Sequence, residues 1–234
     1  AQRGDAAADL RHRRAEDEQA AQQGQAMTDF ADLKAQIAEW AVRGDWSDAL
    51  VTSFVRMAES KFNQELRVAQ MIKFAANVID CRCAALPDDW LAMDLVRVAN
   101  ENGADGFLPA RYKARDEFFN QRDTHTWMYY TIVGGTIYFG GTPDPVDGTE
   151  FKIAYYGEVP VLADASPSWV YTKHPQLYLF AALMHADLHA VGEEQSAANM
   201  KQMAEDMIQK LNAAHLGAKA SGSRVTMPRR RSFG

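Results

Sequence analysis

One stretch, WMYYTIVGGTIYFGG (Trp127–Gly141), constrains this chain more than any other. Two runs of aromatic and β-branched residues flank Gly134-Gly135. Such side chains suit a pleated surface, and the glycines supply the positive backbone angles that a two-residue hairpin turn needs. The stretch therefore predicts a β-hairpin, which commits the middle of the chain to antiparallel sheet. The glycines do not form a phosphate loop, because no Lys-Ser/Thr pair and no helix follows them.

The surrounding sequence extends that sheet. MIKFAANVIDCRCAAL reads as extended, LPDDW breaks it at Pro87, and WLAMDLVRVAN resumes it. LPARYKARDEFFNQ predicts a short helix after Pro109, TPDPVDG a loop, and TEFKIAYYGEVPVL a further strand ended by Pro160. Helices are predicted on both sides. TDFADLKAQIAEWAVR has a cap at Thr28, apolar residues at Phe30, Leu33, Ile37 and Trp40, and an end near Gly44. The next helix carries Trp46, Leu50, Phe54, Met57 or Ala58, Phe62 and Leu66, with Ser47 as cap, and the tight link predicts an antiparallel pair. After the sheet, WVYTKHPQLYLFAALMHADLHAV places Pro175 in the first turn of a main helix, and Gly192 interrupts it. A last helix, with Met200, Met203, Met207 and Leu211 on one face, is expected to stop at Gly217.

The expected class is α+β: a four-helix bundle body with an inserted antiparallel β-sheet domain and extended N- and C-terminal arms. The boundaries are an extended, disordered arm at 1–26, a helical hairpin at 27–70, a β domain at 71–165, a second helical hairpin at 166–216 and a basic tail at 217–234. Met27 is the natural start of the folded part, since Leu10 is the one large hydrophobe before it.

Charge separates the ends from the body. The net charge is −6. Residues 1–26 contribute −1, and the tail contributes +5 from Lys219, Arg224, Arg229, Arg230 and Arg231, which leaves about −10 for the middle. An acidic body argues against general nucleic-acid binding over its surface. No apolar run is long enough to span a membrane, and no signal peptide is expected. Cys81 and Cys83 are too few for a disulfide framework.

The constellations that could carry chemistry are weak. His185 and His189 share a helix face at metal-ligand spacing, but the segment HADLH lacks the glutamate of a zinc-protease helix, and no third ligand is announced. Cys81 and Cys83 would share a strand face as small apolar residues. Asp88-Asp89 reads as a solvated turn, and Asp144 and Asp147 lack the regular spacing of a calcium loop. Asp116-Glu117-Phe118-Phe119 reads as a surface helix with an apolar edge. No catalytic residue, cofactor or metal is expected. The residues alone leave three readings of the basic tail open: a solvated end, the arm of a nucleic-acid-binding protein, or a docking strap for another protein.

The ordered set of motifs from Thr28 to Met227 resembles phage head-to-tail adaptor (connector) proteins. The set comprises FADLKAQIAEWAVRGD, FVRMAESKFNQELRVAQM, ALPDDWLAMDLVRV, WMYYTIVGGTIYFGGTPD and FKIAYYGEVPVLADASPSWVYTKHPQLYLFAALMHA, with RVTM after the last helix. Two features depart from the family pattern: Phe139-Gly140-Gly141 precedes Thr142-Pro143, and residues 1–26 are additional. The resemblance implies a virion structural component without covalent chemistry, made in the host cytoplasm and located in the neck. It implies a homo-oligomeric ring of twelve subunits with the portal above, and the tail, nozzle or tail-completion protein below. Double-stranded DNA would pass through the channel without sequence-specific binding. It also implies that the tail docks on the portal, with Gly217–Gly222 as a flexible lead. Val225, Met227 and Phe233 would be apolar anchors, and Arg224, Arg229, Arg230 and Arg231 would pair with portal carboxylates. Trp90, Trp127 and Trp169 are the possible subunit-interface aromatics.

Overall fold

The structure, a computed structural model, describes residues 30–42, 45–99, 106–120, 128–141, 147–163, 166–190 and 193–222. The expectations for residues 1–26, Thr28, Trp127, Asp144, Gly192 and the chain from Ser223 onward lie outside the described residues. The protein is α+β, with six α-helices and two sheets among the described residues. It divides into two units, one formed by Ala1–Phe62 with Val159–Gln209 and the other by Asn63–Glu158 with Lys210–Gly234.

The first unit is helical. Helix α1 (Phe30–Trp40) buries Phe30, Leu33 and Ile37, the positions its 3–4 spacing predicts, but Trp40 at its end is 55% exposed. Helix α2 (Asp48–Glu65) starts at Ser47, whose Oγ accepts from the Leu50 N–H at 3.3 Å, and buries Phe54, Ala58 and Phe62. Met57 is exposed, so Ala58 holds the inward position.

Helix α3 is Arg115–Asn120, α4 is Trp169–Lys173, and α5 is Pro175–His189 with Pro175 in its first turn. Nine of the fifteen residues of α5 are buried, which makes it the central helix of this unit. Phe62 of α2 meets Tyr178 of α5 edge to face at 4.9 Å between ring centroids. Helix α6 (Glu194–Gly222) buries Ala197, Ala204 and Ile208, while Met203, an expected inward residue, is 48% exposed.

A buried polar knot holds the helical unit together. Glu59 on α2 is 5% exposed. Its Oε1 accepts from the Leu162 N–H at 2.6 Å and from the Tyr178 hydroxyl at 3.3 Å. Its Oε2 accepts from Arg56 Nη1 at 2.8 Å, and the same nitrogen donates to the Leu162 carbonyl at 3.0 Å. Burial pushes the Tyr178 hydroxyl well above the ordinary tyrosine range. Each polar group in the knot has a counterpart, which is what makes its burial tolerable.

The second unit is a sandwich of two four-stranded sheets. The first sheet has the order β1 (Ile72–Val78), β8 (Glu150–Gly157), β3 (Trp90–Ala99), β4 (Phe107–Pro109), and every pairing is antiparallel. The second has the order β2 (Cys83–Ala85), β7 (Thr136–Gly140), β6 (Tyr129–Val133), β5 (Arg111–Tyr112). Strand β5 runs parallel to β6, so the expectation of a purely antiparallel sheet is corrected there. Val96, Val98, Phe151 and Ile153 of one sheet meet Ala84, Tyr130, Ile137 and Phe139 of the other in a common core. Strand β8 ends at Gly157, before Pro160.

Two further features depart from the sequence reading. Cys81 does not share a strand face with Cys83. Cys81 and Arg82, with φ of 49° and 62°, form a two-residue turn closed by reciprocal Asp80–Cys83 backbone hydrogen bonds of 2.9 Å. Positive φ at both central residues is the geometry Asn-Gly normally supplies. Here it is imposed by bonds from outside the turn, the Cys81 N–H to Asp147 Oδ1 at 2.8 Å and the Phe139 N–H to the Arg82 carbonyl at 2.8 Å. At the paired glycines the expected hairpin forms between Val133 and Thr136, with positive φ at Gly134.

The second departure lies at the end of α6. The helix continues through Gly217 to Gly222, so Gly217–Gly222 is helical rather than a flexible lead. A glycine inside a helix costs about 1 kcal/mol relative to alanine. Contacts on both sides of Gly217 offset it: His215 Nε2 lies 3.1 Å from the Tyr156 hydroxyl, and Lys219 is ion-paired with Asp94.

Candidate interaction surfaces

The sequence-predicted site residues separate into three groups. Arg224, Val225, Met227, Arg229, Arg230, Arg231, Phe233 and Trp127 lie outside the described residues. Trp90 opens β3, packs half-buried against the sandwich core, and holds its Nε1 buried without a hydrogen-bond acceptor among the described residues. Trp169 opens α4, half-buried beside the buried Val170 and Tyr171.

The histidine pair is not gathered into a centre. His189 lies against the rings of Phe54 at 5.7 Å and Trp46 at 6.3 Å. His185 is half-buried, and burial, followed by the nearby charge of Lys61, pushes its pKa below the ordinary histidine value. Asp187 between them is occupied by the Ser196 hydroxyl at 2.6 Å. Among the described residues, the metal-ligand types that converge in a group of three are Asp80, Cys81 and Asp147, all exposed. The Cys81 thiol is pushed up by its hydrogen bond to Asp80 and by the Asp80 and Asp147 charges, which disfavours the thiolate that a ligand or nucleophile requires. Asp88-Asp89 is more than a solvated turn. Asp89 accepts from Lys73 and from the Tyr155 hydroxyl at 3.0 Å. Burial works against its charge, but these hydrogen bonds outweigh it and hold the carboxyl below the ordinary range.

Two apolar faces of the sheet unit are exposed, and the sequence reading anticipated only the Phe118-Phe119 edge of the second. One is the outer face of the first sheet. Ladder register places Phe74, Ala154 and Leu95 in one row and Ala76, Lys152 and Arg97 in the next. Phe74 is 82% exposed, and Val78 and Leu95 are also exposed. The Lys152 ammonium sits 3.9 Å from the centre of the Phe107 ring. Period-two reading of IKFAANV against FKIAYY would have separated Phe74 from the core residues of its neighbours, because β8 alternates between the two faces.

The other face is an aromatic cluster on the second sheet. Phe118 stacks edge-on with Tyr129 at 5.4 Å and with Phe119 at 5.0 Å, and Phe119 meets Tyr138 at 5.9 Å. The Lys113 ammonium lies 3.7 Å from the centre of the Tyr129 ring. With Cys81, Arg82 and Gly140 these rings border a recess of about 320 Å³. Helix α3 buries none of its residues, and Phe119 is 59% exposed, so the expected apolar edge of a surface helix is present.

What these residues define is a protein whose sheet unit carries exposed aromatic and apolar faces. Residues 28–232 match the SU10 adaptor protein family, and the chain belongs to this family of phage head–tail adaptors. It is therefore a structural phage adaptor that assembles with portal and tail proteins in the virion neck. No curated protein sequence matches it. No helix among the described residues is long and apolar enough to cross a membrane.

Proposed function

We propose that the protein forms a ring of twelve copies beneath the portal, completes the packaged head, receives the tail or its nozzle, and leaves a channel through which double-stranded DNA is ejected. The observation that carries this reading is the family match, which spans the described fold and continues through the basic tail to residue 232. The ring is assembled by heterologous contacts closed by rotation, and its mechanism is geometric, with no covalent chemistry. In this reading the helices of 27–70 and 166–216 form a bundle-like body that carries the β domain of 71–165. Trp90, Trp127 and Trp169 contribute to subunit interfaces. Assembly takes place in the host cytoplasm, and an acidic body keeps the channel wall from holding DNA.

The tail is the portal-docking element of this reading. Val225, Met227 and Phe233 supply apolar anchors, and Arg224, Arg229, Arg230 and Arg231 pair with portal carboxylates. Truncation after Gly222 tests it, because the cut leaves α6 and its Lys219–Asp94 ion pair in place. The shortened chain is expected to fold and to lose attachment to the cognate portal, scored by co-sedimentation and by imaging of the rings. Undiminished attachment would remove the tail from the docking role.

A further inference from the structure

Among the described residues, strand β1 is an edge of the first sheet, bonded to β8 on one side only. Ile79 donates and accepts across that ladder, with its N–H to the Thr149 carbonyl and its carbonyl to the Gly148 N–H, both at 2.9 Å. Antiparallel alternation then turns Phe74, Ala76 and Val78 outward. The Val78 N–H is capped by Asn77 Oδ1 at 2.8 Å, which leaves the backbone groups of Phe74 and Ala76 facing away from the sheet. An exposed edge of this kind is a template for another strand unless something covers it. Its one charged residue, Lys73, is paired with Asp89.

The edge borders a cleft of about 310 Å³ where the sandwich opens between β1 and the end of β2. Ala75 and Ala85 leave space there, Phe151 and Ile153 form an apolar floor, and the exposed Asp88 stands at the rim. The pattern that fits is an extended segment with apolar side chains at every second position and a basic flank. Arg224-Val225-Thr226-Met227-Pro228-Arg229-Arg230-Arg231 has that pattern. Val225 and Met227 fall on one face of a strand, Pro228 stops the pairing, and three arginines follow.

The root of this segment is close enough. Helix α6 is pinned by Lys219 to Asp94 on β3, and β3 is separated from β1 by β8 alone. Two strand spacings are about 10 Å, and because α6 runs to Gly222 the reach is the three residues to Val225 and the five to Met227, roughly 10–18 Å when extended.

We propose that, in the free adaptor, the C-terminal segment 224–231 of the same chain adds to the β1 edge as a fifth strand, with Val225 and Met227 in the cleft and the arginines toward Asp88. This surface goes beyond portal docking: it is where the tail resides before a portal is present. The test is hydrogen exchange of residues 72–78 in the purified full chain, in a chain ending at Gly222, and in V225D/M227D. Substitutions in the tail leave the folded units intact. Exchange at Phe74 and Ala76 is expected to be about tenfold slower in the full chain than in either variant, the protection given by one net hydrogen bond, and independent of protein concentration. Equal exchange in all three proteins overturns the proposal. Protection that grows with concentration also overturns it, because the strand would then come from a second copy. The experiment contains no portal, so its failure is distinguishable from a failure of portal docking.

Discussion

Replacing Glu59 probes the join between distant parts of the helical unit. In Glu59→Ala the Leu162 N–H loses its 2.6 Å acceptor at a residue 1% exposed, and the fully buried Tyr178 hydroxyl loses an acceptor at 3.3 Å. Leaving a buried donor without an acceptor costs about 1–3 kcal/mol. The Arg56 contribution is small, because its side chain is 39% exposed and is rehydrated when the carboxylate is removed. Glu59→Ala is therefore expected to cost about 3 kcal/mol. Glu59→Gln keeps an acceptor for Leu162 and is expected to cost about 1 kcal/mol. For a chain of this size each kcal/mol lowers Tm by about 2–4 °C, so the alanine variant should melt about 6–12 °C lower and the glutamine variant about 2–4 °C lower. Thermal unfolding followed by far-UV circular dichroism reads both. If both variants stay within about 0.5 kcal/mol of the parent, the range of an ordinary surface substitution, the knot is not holding the unit.

Two further perturbations address the sheet unit. A Cβ at Gly140 would lie 2.7 Å from Tyr129 Cε2, and the Tyr129 ring is fixed between Phe118 and Lys113. Gly140→Ala is thus expected to cost about 1–3 kcal/mol by denaturant titration, and a neutral result would mean that the aromatic cluster is loosely packed. The folded pKa of Asp89 lies below its unfolded value, so its contribution is fully present above about pH 4 and is lost as pH falls through the folded pKa. Asp89→Asn should therefore flatten the acid side of the stability profile, measured from pH 6 down to about pH 2. An unchanged slope would show that the Lys73–Asp89–Tyr155 contacts carry no linkage.

Where local chemistry decides the structure, it was legible in the sequence. Gly134-Gly135 makes the hairpin, Pro175 starts α5, and Phe30, Leu33 and Ile37 turn inward together. The misses share a cause, which is a partner far away in sequence. Cys81-Arg82 contains no turn residue and is bent by Asp147 and Phe139. Gly217 reads as a stop, and contacts to Tyr156 and Asp94 carry the helix past it. Glu59 went unremarked in the sequence, because its acceptor role depends on Leu162, 103 residues away. The exposed faces were the least legible: Phe74 and Phe119 belong to the same residue types as the core, and only register and packing separate them.

The Glu59 knot also imposes an order on synthesis. Arg56 and Glu59 leave the ribosome long before Leu162 and Tyr178, and at 5–20 residues per second the 103 residues from Glu59 to Leu162 take about 5–20 s. During that interval α2 has no buried counterpart for its carboxylate. The sheet unit is delayed in the same way, since Asn212 of α6 accepts from the Arg67 N–H at 2.7 Å and donates to the Glu65 carbonyl at 2.8 Å. Both units therefore mature only once α6 has been made. A nascent adaptor cannot offer one finished half to its neighbours while the other is still being made.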